Sequence, residues 1–203
     1  DRLINSYIHD LYRFFKLFSR RREFYAVFNS DFHLEEVPFI GQLLVTTKHL
    51  EFAADYYLDN LFYADAIRYY KMLLSGKHTI SPVLYQKLGL AYQNTGNLSE
   101  ALKQYLRYEL ADDSNLWNIR HIAICYRGLR QTDKALAYYK KAEDLAPNKL
   151  ATYLNIGHCL LELNQPKEAL DYYFKAELAD DKHTHKAWRP IAWTAFVCGQ
   201  YEQ

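Results

Sequence analysis

The chain has 203 residues, half of them hydrophobic and 16% aromatic, which supports a sizeable core and excludes an intrinsically disordered segment. Lys and Arg number 25 against 24 for Asp and Glu, so overall charge selects neither nucleic acid nor an anionic membrane and any electrostatic preference is local. Seven Gly and five Pro are too few for many tight β-turns, which points to an all-α fold.

Residues 1–46 stand apart from the rest of the chain. SYIHDLYRFFKLF, residues 6–18, predicts a strongly apolar helix, and Pro38 predicts the start of a short second one. The expected role is a cap or degenerate repeat covering the first stacked hairpin. An alternative uses Arg13, Lys16, Arg20, Arg21 and Arg22, with nearby aromatics, as a nucleic-acid or membrane surface. A basic run beside a helix end is more often simply solvated.

From residue 47 onward the chain repeats. Gly89, Ala123, Gly157 and Ala192 recur at intervals of 34, 34 and 35, and Ala66, Ala101, Ala135 and Ala169 at 35, 34 and 34. Within residues 82–115, Leu84, Leu88, Ala91 and Tyr92 follow the helical period, TGN at residues 95–97 breaks it, and Leu98, Ala101, Leu102, Tyr105 and Leu106 resume it. That is a helical hairpin, with Asn97 or Ser99 as the cap of its second helix; Pro166 starts, and Pro147 follows, equivalent helices. The expected reason for the small pairs is a close helix crossing, Gly89 against Ala101 and Gly157 against Ala169. Large apolar residues surround each crossing: Tyr85, Ile119, Tyr153 and Trp188, then Leu88, Ile122, Ile156 and Ile191, with Tyr70, Tyr105, Tyr139 and Tyr173 on the second helices. One hairpin cannot bury all of these, so neighbours must stack.

The pattern resembles the tetratricopeptide repeat, whose unit reads W-x2-L-G-x2-Y, then A-x3-F, A and P. Tyr153, Ile156, Gly157, Leu160, Ala169, Tyr173 and Ala176 match it, as do Ile119, Ile122, Ala123, Tyr126, Ala135, Tyr139, Ala142 and Pro147. Units are expected at 82–115, 116–149 and 150–183, with a degenerate one at 47–81 and a truncated one, only its first helix, at 184–203. Tyr108 and Leu73 stand where the family usually has alanine, and Asp113 and Asp181 where it has proline. The resemblance implies a right-handed superhelical solenoid of stacked antiparallel helix pairs. The break after CGQYEQ suggests a fragment of a longer chain.

The resemblance also implies a concave groove lined by the first helices. Its residues would include Lys87, Arg120, His121, Arg127, Asn155, His158 and Glu162, with Glu51, Asp55 and Asp59 in the degenerate unit. Lys87, Arg120 and Arg127 would face one acid, Glu162, giving a groove that runs from acidic to basic and receives carboxylates. The competing reading is an ordinary solvated face. Arg120, Asn155 and Lys186 correspond to part of the family's chaperone-binding carboxylate clamp, but Ile124 and Pro190 replace two other members and argue against it.

Cys125, Cys159 and Cys198 are odd in number without CxxC spacing, which suggests a reducing, cytoplasmic compartment rather than a disulfide framework. His121 with Cys125, and His158 with Cys159, have ligand-compatible spacing, yet both cysteines fall at a small buried position and are expected in the core; no metal is expected. There is no phosphate loop, HExxH or nucleophile elbow, so neither enzyme nor cofactor is expected. Asp112, Asp113, Asp180 and Asp181 read as turn residues. No apolar run approaches the roughly 18 residues of a membrane span. The expected function is a protein-interaction scaffold binding an extended peptide or protein segment; the alternatives are a nucleic-acid-binding array or a module positioning a larger enzyme or regulator.

Overall fold

A computed structural model describes Asp10, residues 47–76 and residues 81–199. The expected cap at residues 1–46, with its basic run, lies outside the described residues except for Asp10. The chain divides into two units after Ala53, and the first is described only at Asp10 and residues 47–53. The helices are α1 (Thr47–Asp59), α2 (Tyr63–Ser75), α3 (Val83–Asn94), α4 (Leu98–Glu109), α5 (Leu116–Gly128), α6 (Thr132–Leu145), α7 (Leu150–Glu162), α8 (Pro166–Leu178) and α9 (Trp188–Val197). No strand occurs among the described residues.

Local chemistry sets the helix ends. Asn97 caps α4 by accepting from the Glu100 amide at 3.3 Å, and Asn115 caps α5 by accepting from Asn118 N–H at 3.0 Å. Pro166 opens α8, where its missing N–H costs nothing. The hairpin turns repeat one motif. Leu61, Gly96, Arg130 and Asn164 hold φ of 65°, 82°, 61° and 60°, and the amide after each reaches back to close the preceding helix: Phe62 to Tyr57, Asn97 to Tyr92, Gln131 to Tyr126 and Gln165 to Leu160. Gly96 suits that left-handed geometry; Arg130 adopts it with a Cβ. Asp112 and Asp180 do turn work too, the first accepting from Ser114 N–H and Oγ, the second from Thr184 Oγ1 and His185 N–H.

In the second unit the architecture is the stacked one. α3 pairs with α4, α5 with α6 and α7 with α8, while α2, α4, α6 and α8 each also pack on the next first helix along the chain. Ala123, Ala135 and Tyr139 share a core cluster with Ile156, Cys159, Leu160, Ala169 and Tyr173. Consecutive hairpins therefore complete one another's cores, and the solenoid is held by nearest-neighbour burial. Cys125 and Cys159 are fully buried, and burial pushes their thiols up to about 12 and about 11.

One packing expectation needs correction. The nearest atoms to a Cβ built on Gly89 belong to the ring of Tyr105, and those to one on Gly157 belong to Tyr173, instead of Ala101 and Ala169. The tyrosine lies one helical turn beyond the alanine and folds its ring over the glycine, so the small position makes room for an aromatic side chain.

A polar ladder joins successive second helices. Glu109 accepts from Tyr138 Oη at 2.9 Å and Lys141 Nζ at 2.8 Å. Thirty-four residues on, Glu143 accepts from Tyr172 Oη at 3.1 Å, with Lys175 Nζ at 4.0 Å and lying 4.2 Å over the Tyr172 ring. Glu177, at the next step, instead accepts from Trp188 Nε1 at 2.5 Å.

Trp188 and Ala192 are exposed on α9, whereas Ala187 and Thr194 are buried. Ala187 packs with Ala176 of α8, while Ala192 occupies the position of Gly89 and Gly157, which face Tyr105 and Tyr173 of their own second helices.

Candidate functional site

The seven expected groove residues lie on α3, α5 and α7, and the structure brings most of them into contact across repeats. Lys87 Nζ meets Asp55 Oδ2 at 2.6 Å, and the other Asp55 oxygen accepts from Tyr70 Oη at 2.6 Å. Arg127 Nε donates to Glu162 Oε1 at 2.9 Å, and Thr132 Oγ1 donates to Glu162 Oε2 at 3.0 Å. These half-exposed pairs contribute about 0–1 kcal/mol each to stability. Their consequence is electrostatic: two of the three cations are matched by acids of the same chain. Arg120 has no acidic partner among the described residues.

His121 belongs to a neutral network. Its Nδ1 lies 2.8 Å from Gln93 Oε1, which also accepts from Tyr105 Oη at 2.8 Å, so the tautomer protonated at Nδ1 donates to the amide oxygen. Burial, with the Arg120 charge, holds the imidazole down at about 4. Trp117 lies over it with ring centroids 3.8 Å apart. His158 Nδ1 is 2.8 Å from Tyr173 Oη, and burial together with Arg127 lowers its pKa against the opposing pull of Glu162. Asn155 Nδ2 donates to the Ala151 carbonyl of its own helix at 2.8 Å.

Four equivalent tyrosines line the inner side of this face, and three have partners there. Tyr70 bonds Asp55, Tyr105 bonds Gln93 and Tyr173 bonds His158. The residue 15 before Tyr70 is Asp55 and before Tyr173 is His158; before Tyr139 it is Ile124, which accepts nothing. Tyr139 is 2% exposed, and its hydroxyl has no hydrogen-bond partner among the described residues. It opens into a cavity of about 480 Å³ lined also by Ile124, Arg127, Gly128, Arg130, Asn155 and Glu162.

One repeat further, a larger and mainly apolar cavity of about 780 Å³ is lined by His158, Leu161, Tyr173, Arg189, Pro190, Trp193 and Phe196. Trp193 is 63% exposed. The groove expected from the sequence ends at Glu162 and omits Arg189, Trp193 and Phe196. The signal was present: 35 added to Leu154, His158 and Leu161 gives these three positions.

Among the described residues no group of three or more His, Cys, Asp or Glu is placed to hold a metal ion, and no helix is long and apolar enough to cross a membrane.

The tetratricopeptide-repeat family matches residues 112–177, and a second match to it covers residues 83–114. No curated protein matches the sequence significantly. Among solved structures, one described as MamA MSR-1 C2 is 18% identical, covering 77% of this chain and 88% of its own, with a TM-score of 0.65. A crystal structure of MamA protein is 17% identical over 77% of this chain and 84% of its own, with a TM-score of 0.70. YrrB, described as a TPR protein with an unusual peptide-binding site, is 15% identical over 76% of this chain and 75% of its own, with a TM-score of 0.64. At these identities the likeness is one of fold.

Proposed function

The chain is a tetratricopeptide-repeat protein, and from that premise we propose that it is an interaction scaffold whose first-helix face holds an extended peptide segment of a protein partner. The observation that supports this reading is the pair of adjoining cavities on that face, each lined by side chains of consecutive first helices. A ligand running along the solenoid would meet them in succession, as an extended chain does in a groove built from stacked repeats. The peptide-binding site described for YrrB, a protein of the same fold, is consistent with this use. Arg120, which has no acidic partner among the described residues, favours acidic groups in the ligand, and Arg127 adds to the positive charge beside it.

The test is a pull-down with the 203-residue chain and with its Arg120→Glu, Arg127→Glu variant, after circular dichroism has established equal helicity. A protein retained by the parent and lost from the variant supports the groove. Equal retention by both, or retention of nucleic acid alone, places the functional surface elsewhere.

A further inference from the structure

We propose that the groove selects a two-part motif: an acidic side chain seated against Tyr139 beside Arg120, Arg127 and Arg130, and an aromatic or large aliphatic side chain seated against Trp193. This deepens the reading above and rests on it.

The acidic half follows from an unmet hydrogen bond and an unbalanced charge. Tyr139 is almost wholly buried, yet its hydroxyl faces a cavity and has no partner among the described residues, whereas its counterparts Tyr70, Tyr105 and Tyr173 are each satisfied from within the chain. That hydroxyl is open to the cavity and uncommitted within the described residues, so a ligand acceptor there gains a direct hydrogen bond in place of one to water. The acceptor's charge is set by the surroundings. Arg127 and Arg130 line the cavity with Glu162, and Arg120 shares the α5 face of Ile124 and Arg127, one and two helical turns away. Three guanidinium groups stand against one carboxylate, and that carboxylate is already engaged by Arg127 and Thr132. A carboxylate accepts from the phenol and from the guanidinium groups together; a neutral amide uses only the first.

The apolar half follows from the adjoining cavity. Leu161, Pro190, Trp193 and Phe196 give it mainly apolar walls, with Arg189, His158 and Tyr173 completing the lining. Its volume of about 780 Å³ exceeds that of the first cavity and accommodates an aromatic ring. The two sites are one repeat apart and share α7, which contributes Asn155 and Glu162 to one and His158 and Leu161 to the other. With first helices about 10 Å apart and an extended chain advancing about 3.4 Å per residue, the two ligand side chains are separated by about three positions.

The test uses a phage-displayed library of random 12-residue peptides panned against the 203-residue chain and against three variants: Tyr139→Phe, Trp193→Ala and Phe174→Ala. Phe174 lies on α8 and lines neither cavity. The expected result is enrichment of Asp or Glu about three residues from Phe, Trp or Leu. Synthetic peptides of that sequence should lose about tenfold in affinity with Tyr139→Phe and with Trp193→Ala, and keep it with Phe174→Ala. Tyr139→Phe keeps the ring and its packing, so a lost fold does not account for a lost hydrogen bond. Enriched peptides that lack the acid–aromatic pair but depend on Tyr139 or Trp193 would overturn the motif and leave the groove standing. Peptides indifferent to both substitutions, or no enrichment, would overturn the motif and the groove together.

Discussion

Gly157 lies beneath the ring of Tyr173 so closely that a Cβ on the glycine would stand 2.5 Å from Tyr173 Cε1. Gly157→Ala should therefore destabilise the chain by about 1–3 kcal/mol, although alanine is favoured over glycine in a helix interior by about 1 kcal/mol. Gly157→Leu should cost more. Urea denaturation midpoints check both, and the added substitution Tyr173→Leu should recover part of the loss because the two sites are coupled. A midpoint unchanged in Gly157→Ala would contradict the packing.

The ladder through Glu109 and Glu143 predicts equal and separable effects in successive repeats. Tyr138→Phe and Tyr172→Phe each remove one hydrogen bond to a carboxylate and should each cost about 1–2 kcal/mol. Their sum should hold in the double variant, since each tyrosine meets a different glutamate. Differential scanning calorimetry would reveal a cost confined to one repeat, which would argue against the periodic arrangement.

Arg130 offers a different kind of test, because it holds a left-handed φ of 61° and also lines the cavity beside Tyr139. Arg130→Gly relieves the backbone but loosens the unfolded chain, so stability should rise by about 0–1 kcal/mol. Affinity for an acidic peptide should fall. A variant that loses stability and keeps affinity would reverse both assignments.

Acid should weaken the fold through His121, whose pKa is held down at about 4 in the folded chain against about 6.5 when unfolded. Between those values the unfolded state binds more protons, so this contribution to stability is complete above about pH 6.5 and is lost as pH falls toward 4. His121→Asn should flatten the melting temperature between pH 7 and pH 5 relative to the parent. An equal slope in both would show that other groups govern it.

Much of the fold was legible because each repeat restates the same constraints. Asn97 and Pro166 mark helix starts by chemistry that acts within one turn, and the recurrence of Leu88, Ile122 and Ile156 at the repeat interval marks the buried face. The Gly157–Tyr173 contact was not legible, because spacing fixes which residues share a face while the reach of a tyrosine ring decides which of them meet. The ion pairs on the first-helix face were not legible for a related reason. Lys87 with Asp55 and Arg127 with Glu162 lie 32 and 35 residues apart, close to one repeat, so each pair joins neighbouring repeats; read singly, each cation looked available to a ligand. The significance of Tyr139 depended on what its three counterparts touch, which only side-chain geometry supplies.

The most direct measurement places a photo-crosslinking amino acid at Ile124, in the cavity beside Tyr139, and separately at Phe174 on α8, and exposes each to the partner retained in the pull-down. Both positions are 39% exposed, so accessibility does not favour either. A covalent adduct from position 124 and none from position 174 is the result expected of a ligand lying along the first helices. An adduct from position 174 alone would contradict it and move the binding surface to the second helices.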